Sequence, residues 1–228
     1  HDVLHVCDRD GGRIITIDGE VLLDGLDYPH GMVFVEEGIV ISEKGKLSIY
    51  DFNFENPETL VDGIPSGNHQ TNAVNLLPNG TLVWHSGSTC NLCDEDDERN
   101  AALLWVNLTT KEHGILATGV RNSFDGVWVD EIGYLFTDNG QDTMGEDFPD
   151  EEVNLLVVGA DYGWLEESPE DPHPDGTEAP IATWTPHTSV NGMTTRPANL
   201  PGDEHTVYAL SLIHISEPTR LRRISYAV

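Results

Sequence analysis

Three short stretches of this sequence combine residue types that can do chemistry with turn residues that would expose them. The first is Gly67-Asn68-His69-Gln70-Thr71-Asn72, ahead of the apolar run AVNLLPNG. A histidine at the mouth of a strand can serve as a general base, because its ordinary pKa lies near neutrality and a modest change of surroundings sets its state. A turn histidine bonded to a neighbouring carbonyl fits the same residues. The second is Gly119-Val120-Arg121-Asn122. A guanidinium there could hold a carboxylate or an ortho-quinone oxygen by paired hydrogen bonds, or close a structural salt bridge with its acidic neighbours. The third is Phe136-Thr137-Asp138-Asn139-Gly140-Gln141-Asp142, which runs on into MGEDFPDEEVN. Clustered oxygens, with a glycine that frees backbone carbonyls, suit a hard cation such as Ca²⁺. The glycine position and the missing final Glu exclude an EF-hand loop, and a solvated acidic loop is the alternative.

These stretches begin or end units of a loose repeat. Each unit has a polar residue, a short apolar strand, a turn with Gly, Asp or Asn, and a second strand; the units start at His30, His69, Arg121 and His187. Their spacings of 39, 52 and 66 residues bracket the roughly 40 to 50 of β-propeller blades. Runs such as RIITID, EVLLD, LSIY, ALLWVNL and GILATGV supply further strands. Glycine (22) and proline (13) punctuate all of them, as expected of many short strands joined by turns. The expected fold is all-β, a β-propeller over residues 1–210 with about four blades' worth of strands; a sandwich is the competing arrangement. In a propeller the innermost strands line one channel, so four polar starts would converge on one site. The stretches 94–100 and 166–179 read as solvated acidic loops.

Forty acidic residues face eleven basic ones, a formal charge of −29, with lysine only at positions 44, 46 and 111. Such a surface repels nucleic acid and offers no basic stripe for phosphate contacts. It suits a salt-adapted protein, or simply an acidic secreted one. No run approaches the roughly 18 to 20 apolar residues that span a membrane. Cys90-Asn91-Leu92-Cys93 has no second CxxC, which argues against zinc and leaves a small-loop disulfide or a pair of inert thiols. Residues 211–228 carry Arg220, Arg222 and Arg223 against one acid, Glu217, and break the trend before them. They read as a non-native, adapter-derived tail, so the natural chain is expected to continue differently past Leu210.

Taken in order, GNHQTNAVNLLPNGTLVWHSGSTCNLC, GVRNSFDGVWVDEIGYLFTDNGQDTMGEDFPDEEVNLLVVGADYGW and WTPHTSVNGMT resemble the soluble pyrroloquinoline-quinone (PQQ) dependent sugar dehydrogenases. The resemblance runs from about Leu26 to Ala209 and is strongest to the sorbosone dehydrogenase-like and aldose-type branch. It implies a six-bladed propeller with PQQ and Ca²⁺, acting on a sugar and passing electrons to an external acceptor, in the periplasm or outside the cell. His69 would match the base that takes the substrate hydroxyl proton. Arg121 would match the arginine that contacts the quinone, with Asn122 beside it. Gly140 and Gln141 would match the residues whose main-chain oxygens bind calcium. Two departures matter. Ser88 stands where glucose-type members have an acid that assists the histidine, and the residues that clamp the PQQ carboxylates would lie beyond this sequence. The competing readings are a calcium-dependent propeller lactonase or hydrolase, with acidic side chains on the metal, and a non-catalytic binding propeller.

The charge alone generates a test. Salt shortens the screening length from about 10 Å at 0.1 M to about 3 Å at 1 M, so self-repulsion among 40 acidic side chains should weaken. Thermal melts are expected to show Tm rising between 0.1 and 1 M NaCl; a flat or falling Tm would remove the repulsion argument.

Overall fold

A computed structural model of the chain describes residues 3–203 and 205–212. Every named element among them is a strand. The first sheet holds β1 (His5–Asp8), β2 (Arg13–Thr16) and β3 (Val21–Asp24); the second holds β4 (Gly31–Val35), β5 (Gly38–Glu43), β6 (Lys46–Tyr50) and β7 (Glu58–Val61). The third holds β8 (Thr71–Leu76), β9 (Leu82–Ser86), β10 (Ala102–Val106) and β11 (His113–Thr118). The fourth holds β12 (Gly126–Val129), β13 (Gly133–Asp138), β14 (Glu151–Leu155) and β15 (Ala182–Trp184), and the fifth β16 (Val190–Thr195) and β17 (Val207–Ser211). Chain neighbours are sheet neighbours throughout, as in a meander. The four polar starts of the sequence repeat lie ahead of β4, β8, β12 and β16, the first strands of their sheets.

The chain divides into two compact units, residues 1–89 with 95–115, and 90–94 with 116–228. In the first unit the second sheet is packed on both faces. Ile39 and Ile41 of β5 join Ile14, Tyr50 and Phe54 on one side, while Val40, between them, joins Leu47, Val74, Leu82, Trp84 and Leu104 on the other. Alternate side chains of a strand point to opposite faces, so the unbroken apolar run GIVI is what a doubly covered strand requires. Each such fully buried aliphatic side chain contributes about 1.5–3 kcal/mol. The turns are tight: Glu36-Glu37 joins β4 to β5, with Val35 paired to Gly38, and Lys44-Gly45 joins β5 to β6, with Glu43 paired to Lys46. Gly31 allows the close approach of β4 to β8, since a Cβ there would fall 2.7 Å from the Cα of Ala73. Polar ties complete the packing. Trp84 Nε1 donates to Ser42 Oγ at 2.8 Å, and Gly45 N donates to Thr71 Oγ1 at 2.9 Å.

All three lysines belong to this unit. Lys46 pairs with Glu43 at 3.3 Å, Lys111 pairs with Glu58, and the Lys44 ammonium lies 5.6 Å from the centre of the Tyr28 ring.

In the second unit the fourth sheet meets the fifth through Thr137 Oγ1, which donates to Asn191 O at 3.1 Å, and Met193 N, which donates to Asp125 Oδ2 at 3.1 Å. The run MGEDFPDEEVN, which the sequence left open as the continuation of a cation-binding or solvated acidic loop, ends in β14, paired with β13 through Phe136↔Asn154. At the C-terminal side, Ser211 still belongs to β17 and pairs with Val190. The rest of the expected tail, beyond Leu212, lies outside the described residues. No helix among the described residues is long and apolar enough to cross a membrane.

Two histidines of the first unit are held neutral by burial. His85, in the middle of β9, has no exposed surface, and burial followed by the nearby His30 lowers its pKa to about 3. His30 is lowered to about 4, first by burial and then by Arg9. In the unfolded chain both take up protons below about pH 6.5. Stability from these groups is therefore complete above pH 6.5 and is lost as pH falls toward 4. At pH 5 the loss for His85 alone should be about 2 kcal/mol. Hydrogen exchange of the β9 amides is expected to show that decline between pH 7 and 5, and His85→Gln should flatten it; identical slopes in the two proteins would refute the assignment.

Candidate functional site

His69 lies in the loop that leads into β8 and is part-buried in the first unit. Its Nδ1 is 2.8 Å from Ser88 Oγ, and its main-chain N–H donates to Ser88 O at 3.2 Å. Ser88 is fully buried, so the imidazole is oriented by a hydroxyl fixed in the structure. A hydroxyl can set the tautomer and direction of the ring, but it cannot offset the charge of an imidazolium as a carboxylate would. Next along the chain, Gln70 Nε2 donates to Tyr28 O at 3.2 Å, joining the loops that lead into β8 and β4.

Arg121, Asn122, Gly140 and Gln141 all belong to the second unit, where the structure brings them together. Gly119, at φ +68°, sets the bend that leads into Arg121; a Cβ there would fall 2.7 Å from Gly163 N. Arg121 is only 4% exposed. Its Nε donates to Asn91 O at 3.2 Å, and its Nη1 donates to Asn139 O at 3.0 Å and to Gly140 O at 2.6 Å. Its Nη2 donates to Asn91 Oδ1 at 2.7 Å and to Asp142 Oδ2 at 3.0 Å. A guanidinium has five N–H donors, and each of these contacts uses one. Of the two interpretations left open by the sequence, the structural ion pair is present, with Asp142, alongside four bonds to uncharged oxygens. Asp142 is 70% exposed, so its bond is the one most readily exchanged for another acceptor.

Beneath the guanidinium lies a buried carboxylate. Asp138, 6% exposed, accepts the main-chain N–H groups of Arg121 at 2.9 Å, Asn122 at 2.7 Å and Asn139 at 2.9 Å. Burial, and then Glu152, push its pKa up to about 8 against these donors. Glu152 is raised to about 7 and Glu167 to about 8, each chiefly by burial. These three carboxyl groups, with Arg121 and Gly140, line a cleft of about 10 Å³, room for one water-sized particle. Glu151, also buried, fixes the turn from the other side. Its Oε2 accepts from Gly140 N and its Oε1 from Ser189 N, both at 3.0 Å. The fourth repeat start reaches the same loop, as His187 Nε2 lies 2.8 Å from Gly145 O.

Gly140 and Gln141 were expected to hold a cation through their main-chain oxygens, and the turn offers oxygens that could meet one. Gly140 O carries one hydrogen bond from Arg121 and keeps a second lone pair. Asn139 Oδ1 is a buried oxygen without a hydrogen-bond partner, and Gln141 Nε2 is a buried donor in the same condition. Gln141 is wholly buried, with its Oε1 accepting from Thr143 Oγ1 at 2.6 Å.

Sequence reasoning did not find Asn91, Glu151, Glu152, Glu167 or His85. The first sits inside the CxxC, which does form a disulfide between Cys90 and Cys93. Only His85 left a signal, a histidine set in the apolar run LVWHS.

No family model matches the chain. An uncharacterised protein of Borreliella burgdorferi is 34% identical over 100 residues, which is 41% of this chain and 26% of that protein; the match thus spans about a quarter of its relative. Among solved structures, the PQQ-bound aldose sugar dehydrogenase of Streptomyces coelicolor superposes with a TM-score of 0.72 at 19% identity, covering 92% of this chain and 71% of that one. The holo PQQ domain of pyranose dehydrogenase from Coprinopsis cinerea gives 0.69 at 18% identity, over 91% and 68%. A calcium structure of a Trichoderma reesei carbohydrate-active enzyme of family AA12 gives 0.67 at 16% identity, over 91% and 66%. The chain therefore has the fold of these sugar dehydrogenases, an all-β architecture of the β-propeller class.

Proposed function

We propose that this protein is a quinone-dependent oxidoreductase of the aldose or sorbosone type, which oxidises a hydroxyl of a sugar or of a hydrated sugar aldehyde. One observation carries the proposal. In a fold shared with a PQQ-bound aldose sugar dehydrogenase, the motif residues occupy loops at the ends of the first two strands of their sheets: His69 before β8, Arg121 and Asn122 before β12, Gly140 and Gln141 after β13.

His69 acts as the base. Its Nδ1 lies 2.8 Å from Ser88 Oγ, which orients the ring, and the imidazole takes the hydroxyl proton. Arg121 supplies positive charge where an acceptor oxygen gains electrons; it does so by exchanging its bond to the exposed Asp142 carboxylate, while Asn91, Asn139 and Gly140 keep the guanidinium in place. Asn122, the next residue in the chain, would contact the cofactor beside it. Gly140 and Gln141 would hold Ca²⁺ through main-chain oxygens, with Asn139 Oδ1 a further oxygen of the same turn. Bound PQQ, polarised by that cation, supplies the hydride acceptor and the route for electrons to an external acceptor. The Cys90–Cys93 disulfide supports a periplasmic or extracellular location, since such bonds persist in oxidising compartments.

A second reading is favoured by Asp138, Glu152 and Glu167 lining one cleft, because a calcium-dependent lactonase would use acidic side chains on its metal. One assay separates the two. The protein is reconstituted with PQQ and Ca²⁺ and assayed by dye reduction over a panel of sugars and by lactone hydrolysis. Quinone-dependent turnover is expected. His69→Ala should lower it at least about 100-fold while PQQ binding, followed by absorbance titration, stays near that of the parent. Lactone hydrolysis without dye reduction, or near-parental turnover in His69→Ala, would overturn the proposal.

A further inference from the structure

The Cys90–Cys93 bond closes a loop whose separation is only three residues, and Asn91 within it is tied to its surroundings at every polar group of its side chain and at its carbonyl. Its main-chain oxygen accepts from Arg121 Nε and from Trp164 Nε1, each at 3.2 Å. Its Oδ1 accepts from Arg121 Nη2 at 2.7 Å and from Asp142 N at 3.1 Å. Its Nδ2 donates to Thr143 Oγ1 at 3.4 Å. One residue thus holds two nitrogens of the guanidinium, Nε and Nη2, and, through Asp142 and Thr143, the loop that follows Gly140.

A planar five-donor group is positioned by the oxygens that meet it, and bonds to a charged donor are the strong ones. The other acceptors of the guanidinium come from the 139–142 stretch alone. Asn91 supplies a second point of attachment, from a different part of the chain. The disulfide removes much of the conformational freedom that a four-residue loop would otherwise have, which keeps both Asn91 oxygens aimed at the same plane.

We propose that Asn91 is a positioning residue for Arg121, and that the Cys90–Cys93 disulfide is what holds it in position. Reduction therefore loosens Arg121 without dismantling the sheets. In that step an external dithiol gives two electrons and two protons, the S–S bond becomes two thiols, and the dithiol becomes a disulfide. The proposal rests on the quinone-dehydrogenase reading only where it bears on turnover.

The test uses ¹⁵N-arginine-labelled protein, with the Arg121 Nε–H signal assigned by its disappearance in Arg121→Lys. In the oxidised parent this proton, bonded to a carbonyl in a part-buried site, is expected to exchange slowly with water. After reduction with dithiothreitol it should shift and exchange at least about tenfold faster, while far-UV circular dichroism is unchanged. Asn91→Ala keeps the main-chain oxygen that meets Nε and removes the Oδ1 that meets Nη2, so there the signal should shift as the guanidinium tilts; Asn91→Asp keeps a side-chain oxygen for Nη2 and should restore the parent shift. Cys90→Ser/Cys93→Ser provides the same comparison without reductant, and serves should Asn91→Ala fail to fold. An unmoved, equally protected signal in the reduced and disulfide-free forms would overturn the proposal. A second arm measures PQQ affinity, expected to fall about tenfold on reduction. Loss of Nε–H protection with no PQQ binding in any form would leave the positioning role standing and remove the dehydrogenase reading.

Discussion

A buried guanidinium in a chain with 29 excess negative charges is the constraint around which the second unit is arranged. Removing a cation from water costs several kcal/mol unless it is fully satisfied, and Arg121, at 4% exposure, meets that condition with five protein oxygens. Four of them are uncharged carbonyl or amide groups. Its strongest charged neighbour is the most exposed one, Asp142, so the attraction is present while the deeper contacts remain neutral. Asp138 then satisfies the main-chain donors at the bend itself, and Glu151 fastens the turn from the side of the fifth sheet.

The two units hold buried titratable groups that burial shifts in opposite directions. In the first, burial keeps His30 and His85 without a proton charge. In the second, burial presses the carboxyl groups of Asp138, Glu152 and Glu167 upward in pKa. Their stabilities therefore respond to pH with opposite sign. The buried imidazoles make the first unit lose stability as pH falls below about 6.5, whereas the second loses it as pH rises, because a carboxyl group buried in its protonated form loses that advantage as pH climbs through its folded pKa.

The pairing of strands was legible because Val, Ile and Leu runs alternate with Gly-bearing turns, as in GMVFVEEGIVISEKGKLSIY, and the structure closes turns at Glu36-Glu37 and Lys44-Gly45. The polar start of each repeat unit was legible for the same reason: each precedes the first strand of a sheet. β14 was hidden because it opens with Glu151 and Glu152, and carboxylates are rarely buried, so an acidic run looks like a loop. The joining of Arg121 to Gly140 followed from the motifs, but its mediator did not. Nothing in the type of Asn91 announces a bond to a residue thirty positions away, since the identity of an acceptor is set by where a loop is folded and not by local pattern. Cysteine spacing suggested the crosslink; it could not say what the crosslink carries.

Lysine usage has a practical corollary. The three side-chain amines, at Lys44, Lys46 and Lys111, all lie in the first unit, two paired with glutamates and one over an aromatic ring. Coupling through lysine, whether to a dye, a resin or an electrode, would therefore graft the molecule by that unit and leave the side chains around Arg121 chemically untouched. Directional immobilisation is in this sense written into a surface that has almost no ammonium groups to offer.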